Sequence, residues 1–305
     1  IAFGGVEIID KKKNILIKSP KVTYLKNKEL VFTNGKSRAI SDGIIIDADN
    51  FEYNKINNLI NANGNVKIDN KDENYLIYSD EATYLKNKEL FLTKGKSKTI
   101  NEGVVIEADN FEYEKINNVI NASGNVRIKE IINDYLILTN NATYYRNSEK
   151  IVTRGETKAD IQSKYFITSK NVTYLNDKKI ISSNFKTKIQ DQKSQVYFAD
   201  RFNYSINQEI IKGENFLIIT NYNLPKSDKF FFDSAIINLE ENKFIAKNTK
   251  IEVHKDIFNN SENDPRIEGV SSSGDKDYTL INKGIFTSCK EDDNCPGSVR
   301  PRSSP

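Results

Sequence analysis

The chain has 305 residues, and its 45 Lys and Arg almost balance its 42 Asp and Glu, for a net charge of +3. This balance argues against a nucleic-acid-binding protein, which concentrates basic residues on one face. Only 37% of the residues are apolar and the mean hydropathy is −0.60. We therefore expect a thin sandwich with one wetted face per strand rather than a thick core.

The apolar runs are short. The run at residues 216–219 is far below the roughly 20 residues of a membrane-spanning helix. No signal peptide is visible. The chain contains no Met, so we expect residue 1 to begin a mature form or a fragment.

An internal repeat is the main sequence signal. Residues 21–68 align without gaps on residues 81–128, and 32 of the 48 positions are identical. A smaller unit of about 30 residues is marked by a recurring tyrosine, followed in most units by a turn glycine. A unit of this size stacks on its neighbours to bury its apolar face. The marker tyrosines are Tyr24, Tyr53, Tyr84, Tyr113, Tyr144, Tyr174 and Tyr204.

Within each unit, apolar and polar residues alternate, as in half-buried strands. The alternation changes phase at Asp49-Asn50 and again at Asp109-Asn110, where we place a bulge or corner. No segment has the 3.6-residue period of a helix. The sequence thus predicts an all-β protein built as an elongated open stack of antiparallel strands.

No constellation of catalytic residues is evident. The acidic residues at Asp49 and Glu52 recur 60 residues later, whereas a catalytic pair must converge at one site. His254 has no second ligand at metal-like spacing. We expect no enzyme activity, no cofactor and no metal.

The repeat pattern ends near residue 258. We expect a loop over 259–277, one last strand over 278–286, and a disordered tail over 296–305. Cys289 and Cys295 favour a disulfide in an oxidising compartment. Pairing with each other, pairing with an absent cysteine and two free thiols all remain open.

The phrase at residues 48–53, followed by Ala-x-Gly-Asn-Val at 62–66, resembles the OstA-type repeat. A second copy lies at 108–113 and 122–126. LptA, LptC and the N-terminal periplasmic domain of LptD share this repeat. The resemblance covers roughly residues 1–258. Array length and the Cys-containing end favour the LptD/OstA family without its membrane barrel, with an LptA-like or LptC-like bridge protein as runner-up.

The resemblance implies an antiparallel β-jellyroll, open along one side, on the periplasmic side of the outer membrane of a Gram-negative bacterium. Such a domain binds lipopolysaccharide acyl chains on its apolar inner face and passes the lipid on without chemistry. It also implies an LptA-like jellyroll added at the N-terminal edge strand, an LptE-like lipoprotein if the barrel is present, and no nucleic acid. The implied groove-lining residues are Ile44, Ile46, Ala48, Phe51, Tyr53, Ile60, Ala62, Val66, Ile106, Ala108, Phe111, Tyr113, Ile120 and Val126.

Two other classes of protein compete with this interpretation. A carbohydrate-active β-helix enzyme needs unlike catalytic residues breaking the repeat at one rung, and the sequence shows none. A structural or adhesive repeat protein would have the same alternation but a fully packed interior.

Overall fold

The computed structural model describes residues 1–71, 74–101, 103–132, 134–258 and 263–290. Within these ranges the protein is built from 27 β-strands and four short 3₁₀ turns, with no α-helix. The predicted all-β class is confirmed. The described residues include no helix with the length and apolarity of a membrane span.

The chain divides into two compact units, residues 1–162 and 163–305. The predicted end of the repeat array at residue 258 falls inside the second unit. The strands of unit 1 are β1 (Ala2–Asp10), β2 (Ile15–Leu25), β3 (Leu30–Asn34), β4 (Ser37–Ser41), β5 (Ile44–Ala48), β6 (Asn50–Asn54), β7 (Leu59–Asn70), β8 (Tyr75–Leu85), β9 (Leu90–Lys94), β10 (Ser97–Asn101), β11 (Val104–Ala108), β12 (Asn110–Glu114), β13 (Val119–Glu130), β14 (Tyr135–Tyr145) and β15 (Lys150–Ile161).

Unit 2 contains the remaining strands, β16 to β27. They are β16 (Tyr165–Lys170), β17 (Thr173–Leu175), β18 (Ile180–Ser183), β19 (Thr187–Asp191), β20 (Val196–Ala199), β21 (Arg201–Ser205), β22 (Ile210–Ile219), β23 (Lys229–Asn238), β24 (Lys243–Glu252), β25 (Arg266–Gly274), β26 (Thr279–Asn282) and β27 (Ile285–Thr287). The 3₁₀ turns are Lys26–Lys28, Lys86–Lys88, Arg146–Ser148 and Lys255–Phe258.

Each layer of the stack, which we call a rung, is one long strand or a pair of short strands. Every rung of unit 1 crosses a corner at its middle. Strand β7, for example, pairs through residues 67–70 with β5 and through residues 59–63 with β6. The half-strands on one side of the corner form what we call the upper half-sheet, which contains β4, β5, β10 and β11. Those on the other side form the lower half-sheet, which contains β3, β6, β9 and β12. All of these pairings are antiparallel, and the chain meanders from rung to rung.

The corner is built by an Asp on one rung and a Gly-Asn pair on the next. The Asp49 backbone N–H donates to the Gly64 carbonyl at 2.9 Å, and Asn65 Nδ2 donates to Asp49 Oδ2 at 2.7 Å. Gly64 and Asn65 both have positive φ, at 77° and 49°, which Gly adopts freely and Asn tolerates. The register of β7 and β8 shifts at this point, as in a β-bulge. The predicted corner at Asp49-Asn50 is therefore confirmed.

The same Asp–Asn hydrogen bond recurs in both units, so that the two units share one rung design. In unit 2 the long strands β22, β23 and β24 each pair with neighbouring strands on both sides of a corner, as β7 does in unit 1. The further corner pairs are Asp109–Asn125 at 2.8 Å, Asp200–Asn215 at 2.8 Å and Asp233–Asn248 at 2.6 Å.

The predicted loop over residues 259–277 is wrong for its second half. Strand β25 occupies Arg266–Gly274, paired with β24 on one side and with β26 and β27 on the other. Its Ser- and Gly-rich sequence has low intrinsic strand propensity, so pairing on both sides overrides that local preference. The predicted last strand is present as two pieces, β26 and β27, separated at Lys283-Gly284. The tail 296–305 lies outside the described residues.

Substitution of Gly64 tests whether the corner depends on close approach of Asp49. A Cβ at Gly64 would lie 2.4 Å from Asp49 Oδ2, whereas a Cβ at Gly155, at a similar φ of +85°, meets nothing within 4 Å. We expect Gly155→Ala to cost about 1 kcal/mol of unfolding free energy through backbone strain. Gly64→Ala should cost at least about 1 kcal/mol more, because overpacking against Asp49 adds to that strain. Urea denaturation followed by circular dichroism measures both, and equal losses would contradict a corner that depends on this close approach.

Candidate functional site

The inward side of the lower half-sheet in unit 1 carries an unbroken row of large side chains. Neighbouring members face each other across adjacent strands, and every member is at most 2% exposed. We call it the tyrosine row. Its members are Val31, Tyr53, Ile60, Tyr84, Phe91, Tyr113, Ile120, Tyr144 and Ile151.

The upper half-sheet carries a matching row of branched and small side chains. We call it the isoleucine row, and its members are at most 5% exposed. Because both rows run across the strands, each forms a continuous buried path along the stack, and the isoleucine row is apolar except at Thr99. The isoleucine row comprises Ile17, Ala39, Ile46, Ile68, Ile77, Thr99, Ile106, Ile128, Ile137 and Ala159.

The structure places all fourteen residues of the implied groove lining on this inward face, and none is more than 5% exposed. Six belong to the two rows, and the other eight flank them. Their contact with a lipid stays a prediction. The residues of the two rows that the sequence interpretation did not name as lining are Val31, Tyr84, Phe91, Tyr144, Ile151, Ile17, Ala39, Ile68, Ile77, Thr99, Ile128, Ile137 and Ala159.

Aromatic contacts order the tyrosine row. The rings of Tyr84 and Phe91 are stacked, with centroids 4.2 Å apart and planes within 4°, and Phe91 stacks on Tyr113 at 6.2 Å. Tyr75, from the upper half-sheet, meets Tyr113 edge-on at 4.8 Å. The two half-sheets thus face each other across the interior. Tyr24, which pairs with Val31 on β3, is 42% exposed and so is not part of the buried row.

Opposite the corner, the turns of the upper half-sheet meet the turns of the lower half-sheet along an edge that we call the seam. Side chains cross it in pairs 43 to 45 residues apart in sequence. By contrast, turn backbone hydrogen bonds such as Lys86 N to Asn58 O and Ile131 N to Gly103 O run along one half-sheet. The cross-seam pairs of unit 1 are Tyr53 Oη to Asp10 Oδ2 at 3.2 Å, Lys86 Nζ to Asp42 and Ser41, Asn101 Nδ2 to Tyr144 Oη at 3.0 Å, and Arg146 Nη2 to Asn101 Oδ1 at 3.1 Å.

Lys86 and Asp42 form an ion pair across the seam. The Lys86 side chain is only 11% exposed although it lies in a surface turn. Desolvation raises the pKa of Asp42, but hydrogen bonds from Lys86 Nζ and from Asn14 Nδ2 outweigh it, so the pKa of this carboxyl lies below its usual value. Asp42 is therefore a carboxylate at neutral pH and holds the lysine in place.

Arg146 occupies the same position in the next copy of the repeat. Its guanidinium donates to Asn118 Oδ1 at 2.6 Å and to Asn101 Oδ1 at 3.1 Å, and lies over the Tyr75 ring at 5.4 Å. The residue is 9% exposed. It thus ties a turn of the lower half-sheet to residues of the upper half-sheet.

The sequence interpretation missed the seam. The available signal was the spacing: Lys86 and Arg146 are 60 residues apart at equivalent repeat positions, and the pairs Asp42–Lys86 and Asn101–Arg146 are 44 and 45 residues apart. Unit 2 has the same spacing with reversed charge, because Lys164 Nζ contacts Glu209 Oε1 at 2.7 Å.

The described residues contain no group of three or more metal-ligating side chains. His254 contacts Asp228 Oδ1 through Nδ1 at 2.8 Å. Cys289 is disulfide-bonded. Cys295 lies outside the described residues, so pairing with Cys295 and pairing with an absent cysteine both stay open.

Residues 45–153, which hold fifteen of the nineteen residues of the two rows, match the family model described as LptA/(LptD N-terminal domain) LPS transport protein. The match covers about a third of the chain. This LptA/LptD N-terminal match holds thirteen of the fourteen predicted lining residues, all but Ile44, and includes Lys86 and Arg146 of the seam.

Among solved structures, the chain is similar to LptH, the LptA homologous periplasmic component of the lipopolysaccharide transport device from Pseudomonas aeruginosa. The identity is 13%, the TM-score is 0.35, and the alignment covers 38% of this chain and 85% of LptH. No curated protein matches the chain.

Proposed function

We propose that this protein is a periplasmic lipopolysaccharide-binding conduit that shields the acyl chains of the lipid between its two half-sheets and passes the lipid along the stack without chemistry. The observation that carries the proposal is the pair of inward rows, most of whose residues lie in the segment that matches the LptA/LptD N-terminal family. We place it on the periplasmic side of the outer membrane, as the N-terminal part of an LptD-like assembly protein. An LptE-like lipoprotein would be a partner only where a barrel is present.

The fold explains how a buried interior would take up a lipid. The half-sheets are continuous through the backbone at the corner, whereas side chains bridge the seam. Parting the seam therefore breaks polar contacts that water can replace at modest cost. Each acyl methylene that then enters the interior leaves water, with a gain of about 0.8 kcal/mol.

The N-terminal edge supports a partner of the same fold. Strand β1 pairs with β2 on one side, and within the described residues no strand pairs with its other side. Phe3 and Ile9 on β1 are 69% and 62% exposed. An exposed apolar edge strand favours strand addition by another chain. We assign this edge to an LptA-like jellyroll.

One observation favours a second candidate, the structural or adhesive repeat protein. The residues of the two rows are at most 5% exposed, as expected of a packed core. The two candidates differ in lipid contact, because a packed core has no affinity for acyl chains.

Photocrosslinking tests the conduit. A photoreactive amino acid at Phe51, Ile60 or Phe111, all buried inward, should form adducts with added lipopolysaccharide. The same residue at the outward positions Asn61 or Lys67 should not. No adduct at any position, with β-structure intact by circular dichroism, would contradict the conduit and leave the structural repeat protein as the better account.

The edge-strand assignment has its own test. Phe3→Lys combined with Ile9→Lys places two charges on β1 and should abolish complex formation with an LptA-like protein in size-exclusion chromatography, since charges on an edge oppose strand addition. Ile56→Lys with Ile116→Lys is the matched control, because these isoleucines are 68% and 76% exposed in turns away from β1. A complex that survives the β1 substitutions would contradict the assignment.

A further inference from the structure

We propose that Lys86 and Arg146 form successive phosphate-binding stations along the seam, which close the seam in the lipid-free protein and hold the phosphate groups of an anionic lipid once the seam has opened. The inference rests on the proposed function, which places acyl chains on the inward rows. It adds a binding site for the lipid headgroup, and the inward rows do not provide such a site.

The position of the two cations supports this assignment. Each begins the 3₁₀ turn that follows a long strand, Lys86 after β8 and Arg146 after β14. Each reaches from the lower half-sheet to the opposite rim of the seam. An amphiphile whose chains lie on the inward rows must carry its headgroup at this edge, because the corner closes the other side.

The present partners of the two cations are oxygen atoms, as a phosphate would offer. Lys86 contacts the Asp42 carboxylate and the Ser41 hydroxyl. Arg146 contacts the amide oxygens of Asn118 and Asn101. A phosphate presents several charged oxygens, which match a lysine as a point charge and an arginine through paired N–H donors. Asp42 thus occupies the place of the lipid anion on Lys86.

The spacing indicates separate stations. Strands β8 and β14 are four steps apart in the lower half-sheet, through β9, β12 and β13. At about 4.8 Å per step the two turns lie roughly 19 Å apart. One phosphate cannot bridge that distance. The phosphate group of a lipid moving along the rows would therefore leave one cation and then contact the next.

A matched control exists in the same turns. Lys55 contacts Glu29 at 2.8 Å and Lys115 contacts Glu89 at 3.0 Å. Both ion pairs join neighbouring turns of the lower half-sheet and do not cross the seam. Replacing these lysines changes the net charge as much as replacing Lys86 and Arg146 does.

The experiment measures the affinity of the full chain for lipopolysaccharide and for the same lipopolysaccharide after chemical removal of its phosphates. Lys86→Gln with Arg146→Gln should weaken binding of the phosphorylated lipid about tenfold, since each cation loses a charge-assisted contact, and should not weaken binding of the dephosphorylated lipid. Lys55→Gln with Lys115→Gln should stay near the parent for both lipids. Asp42→Asn should tighten binding of the phosphorylated lipid, because it removes the competing anion.

Three results would overturn the inference: equal losses for both lipids, a loss matched by the control pair, or an Asp42→Asn variant that binds the phosphorylated lipid no better than the parent. If the double variant does not fold, Asp42→Asn and Lys86→Gln alone decide the question. A parent protein that binds neither lipid would contradict the proposed function itself. Binding of both lipids without dependence on phosphate would contradict only the stations.

Discussion

The corner hydrogen bond between an Asp side chain and the Asn of the next rung is the contact on which the rest of the structure depends. It fixes the turned backbone at 2.6 to 2.8 Å in four places. The positive φ that turns the rung comes from a Gly-Asn pair at 64–65 and 124–125, and from Asn215 and Asn248 in unit 2. Folding each rung at the same point brings the apolar faces of the two half-sheets together, so the corner creates the interior and, on the opposite side, the seam.

The two edges of this arrangement differ in strength. At the corner, every rung passes from one half-sheet to the other through covalent backbone. At the seam the half-sheets are held by side chains such as Lys86 and Asp42, whose contact is partly exposed to solvent and correspondingly weak. In the conduit that we propose, the domain would part at the seam rather than at the corner when an acyl chain enters. The difference between corner and seam is the physical basis for our proposal that the segment 45–153, which matches an LPS transport family, takes part in transport.

The sequence predicted the inward face well because the repeat supplies each position twice. Ile60 and Ile120, or Phe51 and Phe111, occupy the same environment 60 residues apart, so an error in the alternation would have shown as a conflict between copies. The phase change at Asp49 marked the corner for the same reason. Strand β25 was missed because its serines and glycines have no strand preference of their own and depend on β24 and β26 for pairing. The seam was missed because partners such as Asp42 and Lys86 meet only once the register of the intervening strands is known.

The central claim is that lipid acyl chains contact the inward rows, and methyl NMR tests it most directly. With isoleucine methyl groups labelled, a bound lipid should show nuclear Overhauser contacts from its acyl protons to Ile46 and Ile106, which are at most 3% exposed in the lipid-free structure. It should show none to Ile56 and Ile116, which are exposed in turns. Acyl contacts confined to the exposed methyls would mean that the lipid binds outside the half-sheets, and the conduit account would then be wrong.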